Sequence, residues 1–190
     1  MSKVQEILTA PHEEIEKIQI EGIKKTVVNC YENIPFYKKS FDEAGFDPYS
    51  VETFDDLKNA PFVTKQDLRD AYPYGMLAVP MKDVREIHMS SGTTGVATVG
   101  AYTKHDLDIW AECFGRGLLY AGGNEEDIIQ IAYGYGLFTG GLGLDFGARA
   151  LGAMTIPMSA GNTKRQMMVM EDLGATAFAC TPSYALYLAE

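Results

Sequence analysis

The sequence is poor in cysteine, in basic charge and in uninterrupted apolar stretches, and each shortage removes a class of function. Three cysteines, Cys30, Cys113 and Cys180, stand far apart in 190 residues with no CxxC pair. An odd, scattered set excludes a disulfide framework and a cysteine-based zinc site. Each lies among apolar neighbours and is expected to be a small core side chain. The 16 Lys and Arg are outnumbered by 26 Asp and Glu, a net charge of -10. That field repels phosphate backbones, so nucleic acid is excluded as a partner. No apolar run approaches the ~18 residues of a membrane span. The most apolar region, residues 128–157, is broken by glycines and by Asp145 and Arg149. The opening MSKVQEILTAPHEEIEKIQ is rich in Glu and lacks the apolar centre of a secretory signal. The expectation is a cytoplasmic protein that stays off membranes. His12, His88 and His105 show no HxxxH or HExxH spacing. They are read as structural or solvent-facing, and no metal site is expected.

What is present is an ordinary globular composition, 46% hydrophobic and 22% charged. A chain of this length can bury a core without crosslinks. Residues 12–31 read as a helix with Ile15, Ile18, Gly22, Ile23, Val27 and Cys30 on one face. A short helix between Pro35 and Pro48 follows, then one capped by Thr64 with Asp67 three residues on. Beyond residue 85 the pattern changes. REIHM and TVGAYT predict two strands around a turn, as in a hairpin. Thr103 and Asp106 open a helix striped by Leu107, Trp110, Ala111, Phe114 and Leu118. DIIQIA, AMTIP and TAFAC predict short buried strands, separated by a glycine-laden helix over 138–152 and a helix over 162–174. The RQMMVM run in the latter is read as a pliable core face, and Thr181 and Pro182 as the N-cap and first turn of a last helix.

Strand–helix alternation at this spacing predicts βαβ units and a parallel sheet. The fold class is therefore α/β: a helical, irregular region over 1–85, then an α/β region over 86–190 with a mostly parallel sheet. Ending inside a helix without a closing strand, the sequence reads as the first part of a larger domain.

Between the two hairpin strands lies SSGTTG: Ser90, Ser91, Gly92, Thr93, Thr94 and Gly95. Its glycines permit positive φ and close backbone approach. Its hydroxyls add donors to backbone N–H groups, a combination that cradles phosphate oxygens. A flexible polar turn is the plainer alternative. The Walker A pattern and GxGxxG are both absent, which disfavours a dinucleotide-dependent oxidoreductase.

SSGTTG resembles the phosphate-binding signature of the adenylate-forming ligases. The segments YGYGLFTGGLG, GARALGAMTIPMSAGNTKRQ and ATAFACTPSYALYLAE narrow the likeness, as do NIPFYKKSFDEAGFDP and PFVTKQDLRDAYPYGM. Together they resemble the phenylacetate–coenzyme A ligases over nearly the whole chain. The resemblance implies the large N-terminal domain of that superfamily and an AMP-forming acid–thiol ligase. ATP and an aryl acetate would give an acyl-adenylate, and coenzyme A would then displace AMP. ATP, Mg2+ and coenzyme A are the implied co-substrates, and residues 90–95 would hold the β- and γ-phosphates. Tyr133 and Phe138 would line the aryl pocket, with Tyr135 and Gly136 nearby; ordinary core packing is the alternative for the aromatics. Thr181 to Tyr184 resembles a family turn with a supporting role.

Two departures bear on function. The family loop continues with Lys-Pro where this chain has Val96 and Ala97. A charge-assisted hydrogen bond is worth about 1.5–3 kcal/mol, so nucleotide affinity falls by about tenfold or more unless another cation substitutes. Lys104 and Arg149 are the candidates. The family's later nucleotide-contacting segments and its mobile C-terminal lid, with the adenylation lysine, match nothing here, so no catalytic residue is assigned. The chain is expected to be an N-terminal part inactive alone, or else a standalone nucleotide- or acid-binding remnant. An incomplete sheet also leads us to expect a homodimer or other self-association.

Overall fold

A computed structural model describes residues 9–92, 95–137 and 139–190. The chain divides into two compact units, Thr9–Thr103 and Lys104–Glu190.

The first unit begins with helix α1, His12–Asn33, which enters from Pro11 with Glu13 and Glu14 in its first turn. Acidic residues there complement the helix dipole. Helix α2, Pro35–Ala44, starts on a proline and stops at Gly45, whose φ of 64° closes the helix in a left-handed cap. Phe41, Phe46 and Val51 form the buried centre of this unit, and Ile20, Ile23, Val27, Tyr31 and Tyr37 pack on it. Phe41 meets Phe46 edge-on at 4.9 Å between ring centres and stacks on Tyr31 at 6.2 Å. The inward face of α1 is thus rotated from the expected one. Ile23 and Val27 point inward, but Ile18 is exposed, and Ile20 and Tyr31 complete the stripe.

The short helix α3, Lys65–Asp70, forms as its sequence predicts. The Asp67 carboxylate accepts from the Thr64 N–H at 2.7 Å and the Thr64 hydroxyl at 2.6 Å, while the Asp67 N–H returns a bond to Thr64 Oγ1. Strands β1, Val84–Met89, and β2, Val99–Thr103, pair antiparallel, with Met89 opposite Val99 and His88 opposite Gly100.

The second unit is the expected βαβ succession. It contains α4 (Lys104–Tyr120), β3 (Ile128–Ile131), α5 (Thr139–Leu151), β4 (Met154–Ile156), α6 (Thr163–Asp172), β5 (Ala177–Ala179) and α7 (Pro182–Ala189). All three strands run parallel in the order β4-β3-β5. Central β3 is the most buried, as a strand covered on both faces should be. Its Ile129 and Ile131 meet Ala148 and Ala153, with Leu118, Tyr133, Tyr135 and Leu144 packed around them.

The glycines of α5 are spent on close packing. A Cβ at Gly143 would stand 2.5 Å from Phe114 Cε2, and one at Gly147 would collide with Phe114 Cβ and come within 2.9 Å of Gly115 N. Reciprocally, a Cβ on Gly115 would be 3.2 Å from Gly147 O. Tight helix–helix approach offsets the loss of helix propensity, about 1 kcal/mol per glycine.

Three expectations fail in detail. Cys113 is exposed rather than core, its sulfur accepting from Arg116 Nη2 at 3.2 Å, while Cys30 and Cys180 are half-buried. Met167 and Met168 are exposed, and the residue that α6 turns fully inward is Gln166. Thr181 precedes α7 but makes no side-chain cap; its hydroxyl lies 3.4 Å from Ser183 Oγ instead. No described helix is long and apolar enough to cross a membrane.

Candidate functional site

The glycine–hydroxyl turn belongs to the first unit and closes the β1–β2 hairpin. Two bonds extend the ladder past the strand ends. The Ser90 N–H donates to Thr98 O at 3.0 Å, and the Thr98 N–H donates to Ser90 Oγ at 2.9 Å. One of the expected phosphate hydroxyls is therefore already an acceptor that pins the neck of the turn. Within the turn the Gly95 N–H donates to Gly92 O at 3.0 Å. Gly92 has φ of 65° and Gly95 φ of 130°, conformations that glycine tolerates. A side chain at 92 would also press on Gly95 O at 3.2 Å. Ser90, Ser91 and Gly95 are exposed, and Gly92 half-exposed. Thr93 and Thr94 lie outside the described residues.

At the base of the turn the two strands also meet through their side chains. His88 on β1 is buried, its Nε2 2.6 Å from Glu86 Oε1 and its ring edge-on to Tyr102 of β2 at 5.0 Å. The side of the turn is flanked by α3. Cζ and Nη2 of Arg69 both lie 3.9 Å from where a Gly95 Cβ would be. Sequence reasoning did not single out Arg69, because nothing local in TKQDLRD marks it as the neighbour of a turn 26 positions on.

The two cations proposed to replace the loop lysine are engaged elsewhere. Lys104 pairs with Asp108, one turn along α4. Arg149 Nε donates to Asp145 Oδ2 at 2.9 Å within α5, and the Asp145 side chain is buried.

The aromatic segment belongs to the second unit. Tyr133 and Tyr135 follow the C-terminal end of β3, the end at which open α/β sheets bind ligands. Both are half-buried and pack on the core. Gly136 is exposed with φ of 117°, and Phe138 lies outside the described residues. The Tyr135 hydroxyl is shielded from solvent and has no hydrogen-bond partner among the described residues. Burial, then the Asp145 carboxylate, push its pKa up to about 12, against the opposing charge of Arg149. Gly141 holds the segment in place. A Cβ there would sit 2.7 Å from Gly134 O and 3.1 Å from Tyr133 O.

Two further segments leave the same edge of the sheet. After β4, Ser159, Gly161 and Asn162 all have positive φ, and the Asn162 side chain caps α6 by accepting from the Arg165 N–H at 3.2 Å. Fully buried Gln166 donates to Ser159 O at 2.7 Å and accepts from Gln130 Nε2 at 2.7 Å. After β5, the Tyr184 hydroxyl lies 3.3 Å from Thr163 Oγ1. The 159–162 turn was not singled out from sequence, although its cluster of small and polar residues before a helix was the available signal.

No protein-family model matches the chain. It is 49% identical over 185 residues to the phenylacetate–coenzyme A ligase of Thermus thermophilus, covering 97% of this chain and 42% of that protein. It is 48% identical over 189 residues to the Escherichia coli phenylacetate–coenzyme A ligase, covering 100% of this chain and 43% of that one. Among solved structures, 2-hydroxyisobutyryl-CoA ligase in complex with 2-HIB-AMP and CoA is similar at a TM-score of 0.85 and 30% identity, over 95% of this chain and 40% of that one. The chain thus spans about two-fifths of the length of the curated relatives it matches. Over that span, with its hairpin turn, its parallel sheet and the aromatic segment beyond β3, the chain is similar to the phenylacetate–coenzyme A ligases.

Proposed function

We propose that the chain is the N-terminal portion of an enzyme that activates an aryl acetic acid, phenylacetate, to an acyl-adenylate and passes the acyl group to coenzyme A. The observation that carries this reading is near-50% identity to phenylacetate–coenzyme A ligases along almost every residue of the chain. The binding of 2-HIB-AMP and CoA by the structurally similar ligase is consistent with the same two steps.

A carboxylate is a poor electrophile, and linkage to AMP supplies a leaving group. The chain's share of that work is binding and orientation. Ser90, Ser91, Gly92, Thr93, Thr94 and Gly95 would hold the β- and γ-phosphates, Ser90 fixing the neck of the turn while N–H groups and the other hydroxyls face the anion. Tyr133, Tyr135, Gly136 and Phe138 would form the acid slot at the end of β3, where aromatic walls favour a phenyl ring by about 0.5–1.5 kcal/mol per ring pair. The shielded Tyr135 hydroxyl supports the slot, because a buried donor with no partner among the described residues can be satisfied by a ligand or water. Among the described residues no group of three His, Cys, Asp or Glu side chains could hold a metal ion, and Mg2+ would enter with the phosphates of the nucleotide.

On this reading residues 1–85 are the helical front and 86–190 an incomplete part of the large domain. Catalysis then needs the remaining three-fifths of a family-length enzyme, and the 190-residue chain is inactive alone. A cytoplasmic location and self-association belong to the same proposal. The latter is supported by the apolar side chains exposed on edge strand β4 and on α7, Met154, Leu186 and Tyr187.

Calorimetric titration of the 190-residue chain with ATP and Mg2+, beside a thioester assay with phenylacetate and coenzyme A, tests the reading. Saturable ATP binding without turnover is expected. Absence of ATP binding removes the phosphate role of residues 90–95, and thioester formation overturns the inactivity of the chain alone.

A further inference from the structure

The first unit carries a cup that shares no residue with the hairpin turn or the aromatic segment. It opens where α2 ends and the turn Pro48–Ser50 begins, and its volume is about 300 Å³. Buried Phe41, Phe46 and Pro48 make its floor. The rings of Tyr31 and Tyr49 form two walls, 6.1 Å apart between centres and 80° to each other. Exposed Asp42 and Asp47 stand at the rim. We propose that this cup is a binding site for a primary alkylammonium ion.

An ammonium group of the chain itself already sits on the same chemistry. Lys38 Nζ lies 4.3 Å from the centre of the Tyr31 ring and donates to the Tyr31 hydroxyl oxygen at 2.9 Å and to Asp42 Oδ2 at 3.4 Å. Tyr31 in turn donates to Asp42 Oδ1 at 2.8 Å, which enriches its ring in electron density and strengthens its attraction for a cation. Tyr49 is built alike, its hydroxyl donating to Glu32 Oε1 at 2.9 Å. Yet neither Glu32 nor Asp47 has a cationic partner among the described residues. Asp47 Oδ1 accepts from the Tyr49 N–H at 2.9 Å, and its Oδ2 is open to a further donor. The end of α2 adds to this negative field. Its cap, Gly45, lines the cup, and its last turn holds no basic residue. A helix C-terminus carries partial negative charge and favours a cation. The floor then selects among cations. A metal ion gains nothing from Phe41, Phe46 and Pro48, whereas an alkyl chain buries against them while its ammonium stays at the wet rim. A quaternary ion lacks the N–H donors that the open carboxylate accepts.

The test titrates the 190-residue chain with n-butylammonium chloride, with 1-butanol as the neutral isostere and sodium chloride as the salt control. Backbone amide NMR shifts and melting temperature are the readouts. The expected result is saturable shifts centred on residues 31–49, a dissociation constant on the order of 1 mM, and a rise in melting temperature that neither control produces. Tyr49→Leu removes a wall and should weaken binding about three- to fivefold. Asp47→Asn keeps an oxygen for the Tyr49 N–H but loses the charge, and should weaken it about two- to fivefold. Tyr49→Phe keeps the ring and should stay within about twofold of the parent. Both positions are exposed. Should Tyr49→Leu nonetheless fail to fold, Asp47→Asn decides. Absence of saturable binding overturns the site, as do equal responses to 1-butanol or to sodium chloride and shifts scattered over acidic residues elsewhere in the chain. Undiminished affinity in either folded variant, or a loss in Tyr49→Phe as large as in Tyr49→Leu, overturns it as well.

Discussion

Gly141 lies directly beneath Gly134, close enough that a methyl group on the first would stand 2.7 Å from the carbonyl oxygen of the second. The relationship couples the start of α5 to the aromatic segment beyond β3. Gly141→Ala gains about 1 kcal/mol of helix propensity but forces an overpacked contact costing about 1–3 kcal/mol. The expected outcome is a net loss of up to about 2 kcal/mol and a fall in melting temperature of up to about 8 °C. It is checked by thermal melting followed by circular dichroism, and an alanine variant as stable as the parent would show that the segment yields freely.

Gln166 is the hinge of a buried polar chain, donating to Ser159 O and accepting from Gln130. Gln166→Leu strips the Ser159 carbonyl of its donor, while Gln130 Nε2 keeps its bond to the backbone carbonyl of residue 166 at 3.0 Å. A group stripped in this way costs about 1–3 kcal/mol. Urea unfolding should report a loss within that range, with an unchanged m-value.

Asp127 ties β3 to β5. Its carboxylate accepts from the Thr176 hydroxyl at 2.6 Å and the Asn124 N–H at 2.8 Å, and these bonds, the Thr176 one foremost, hold its pKa below the ordinary value. A depressed carboxylate contributes stability above its unfolded pKa of ~3.9, and that contribution is lost as pH falls through the lower folded value. Thr176→Val should therefore flatten the fall in stability below about pH 4. Melting curves of parent and variant between neutral and acid pH give the comparison, and identical acid limbs would refute it.

Tyr135 has the opposite sign at the other end of the scale. Its folded pKa, about 12, lies above the unfolded value of ~10, so the folded state favours the neutral phenol. The associated stability is complete below about pH 10 and declines as pH rises toward the folded value. Tyr135→Phe should remove that decline. At neutral pH it should leave stability unchanged or raised, since it deletes a buried hydroxyl with no hydrogen-bond partner among the described residues. Alkaline melts of both proteins distinguish the cases, while weaker acid binding by the variant would support the slot assignment.

Much of this architecture was legible because its signals are local. The Thr64–Asp67 cap, the Pro35 start, the SSGTTG hairpin and the alternation of short apolar strands with helices each declare themselves within a few residues. What escaped depends on partners distant in sequence. Helix α1 offers overlapping apolar stripes, and only the ring ladder of Tyr31, Phe41 and Phe46 selects Ile20 over Ile18. Hydrophobicity turned the RQMMVM run inward, whereas the structure buries Gln166 because Gln130 and two loop carbonyls satisfy it. Arg69 was invisible for the same reason: its significance is its distance from Gly95, which no periodicity encodes.

The exposed thiol of Cys113 offers a practical handle. Burial raises the thiol pKa of Cys30 and of Cys180, slowing thiolate chemistry at both, whereas Cys113 faces outward. A thiol-reactive fluorophore should thus label α4 selectively, one turn from Trp110, the chain's single tryptophan. The indole itself meets Phe146 of α5 edge-on at 5.7 Å between ring centres, so its emission, alone or quenched by the neighbouring dye, would turn the glycine-lined seam of α4 and α5 into an optical gauge of folding.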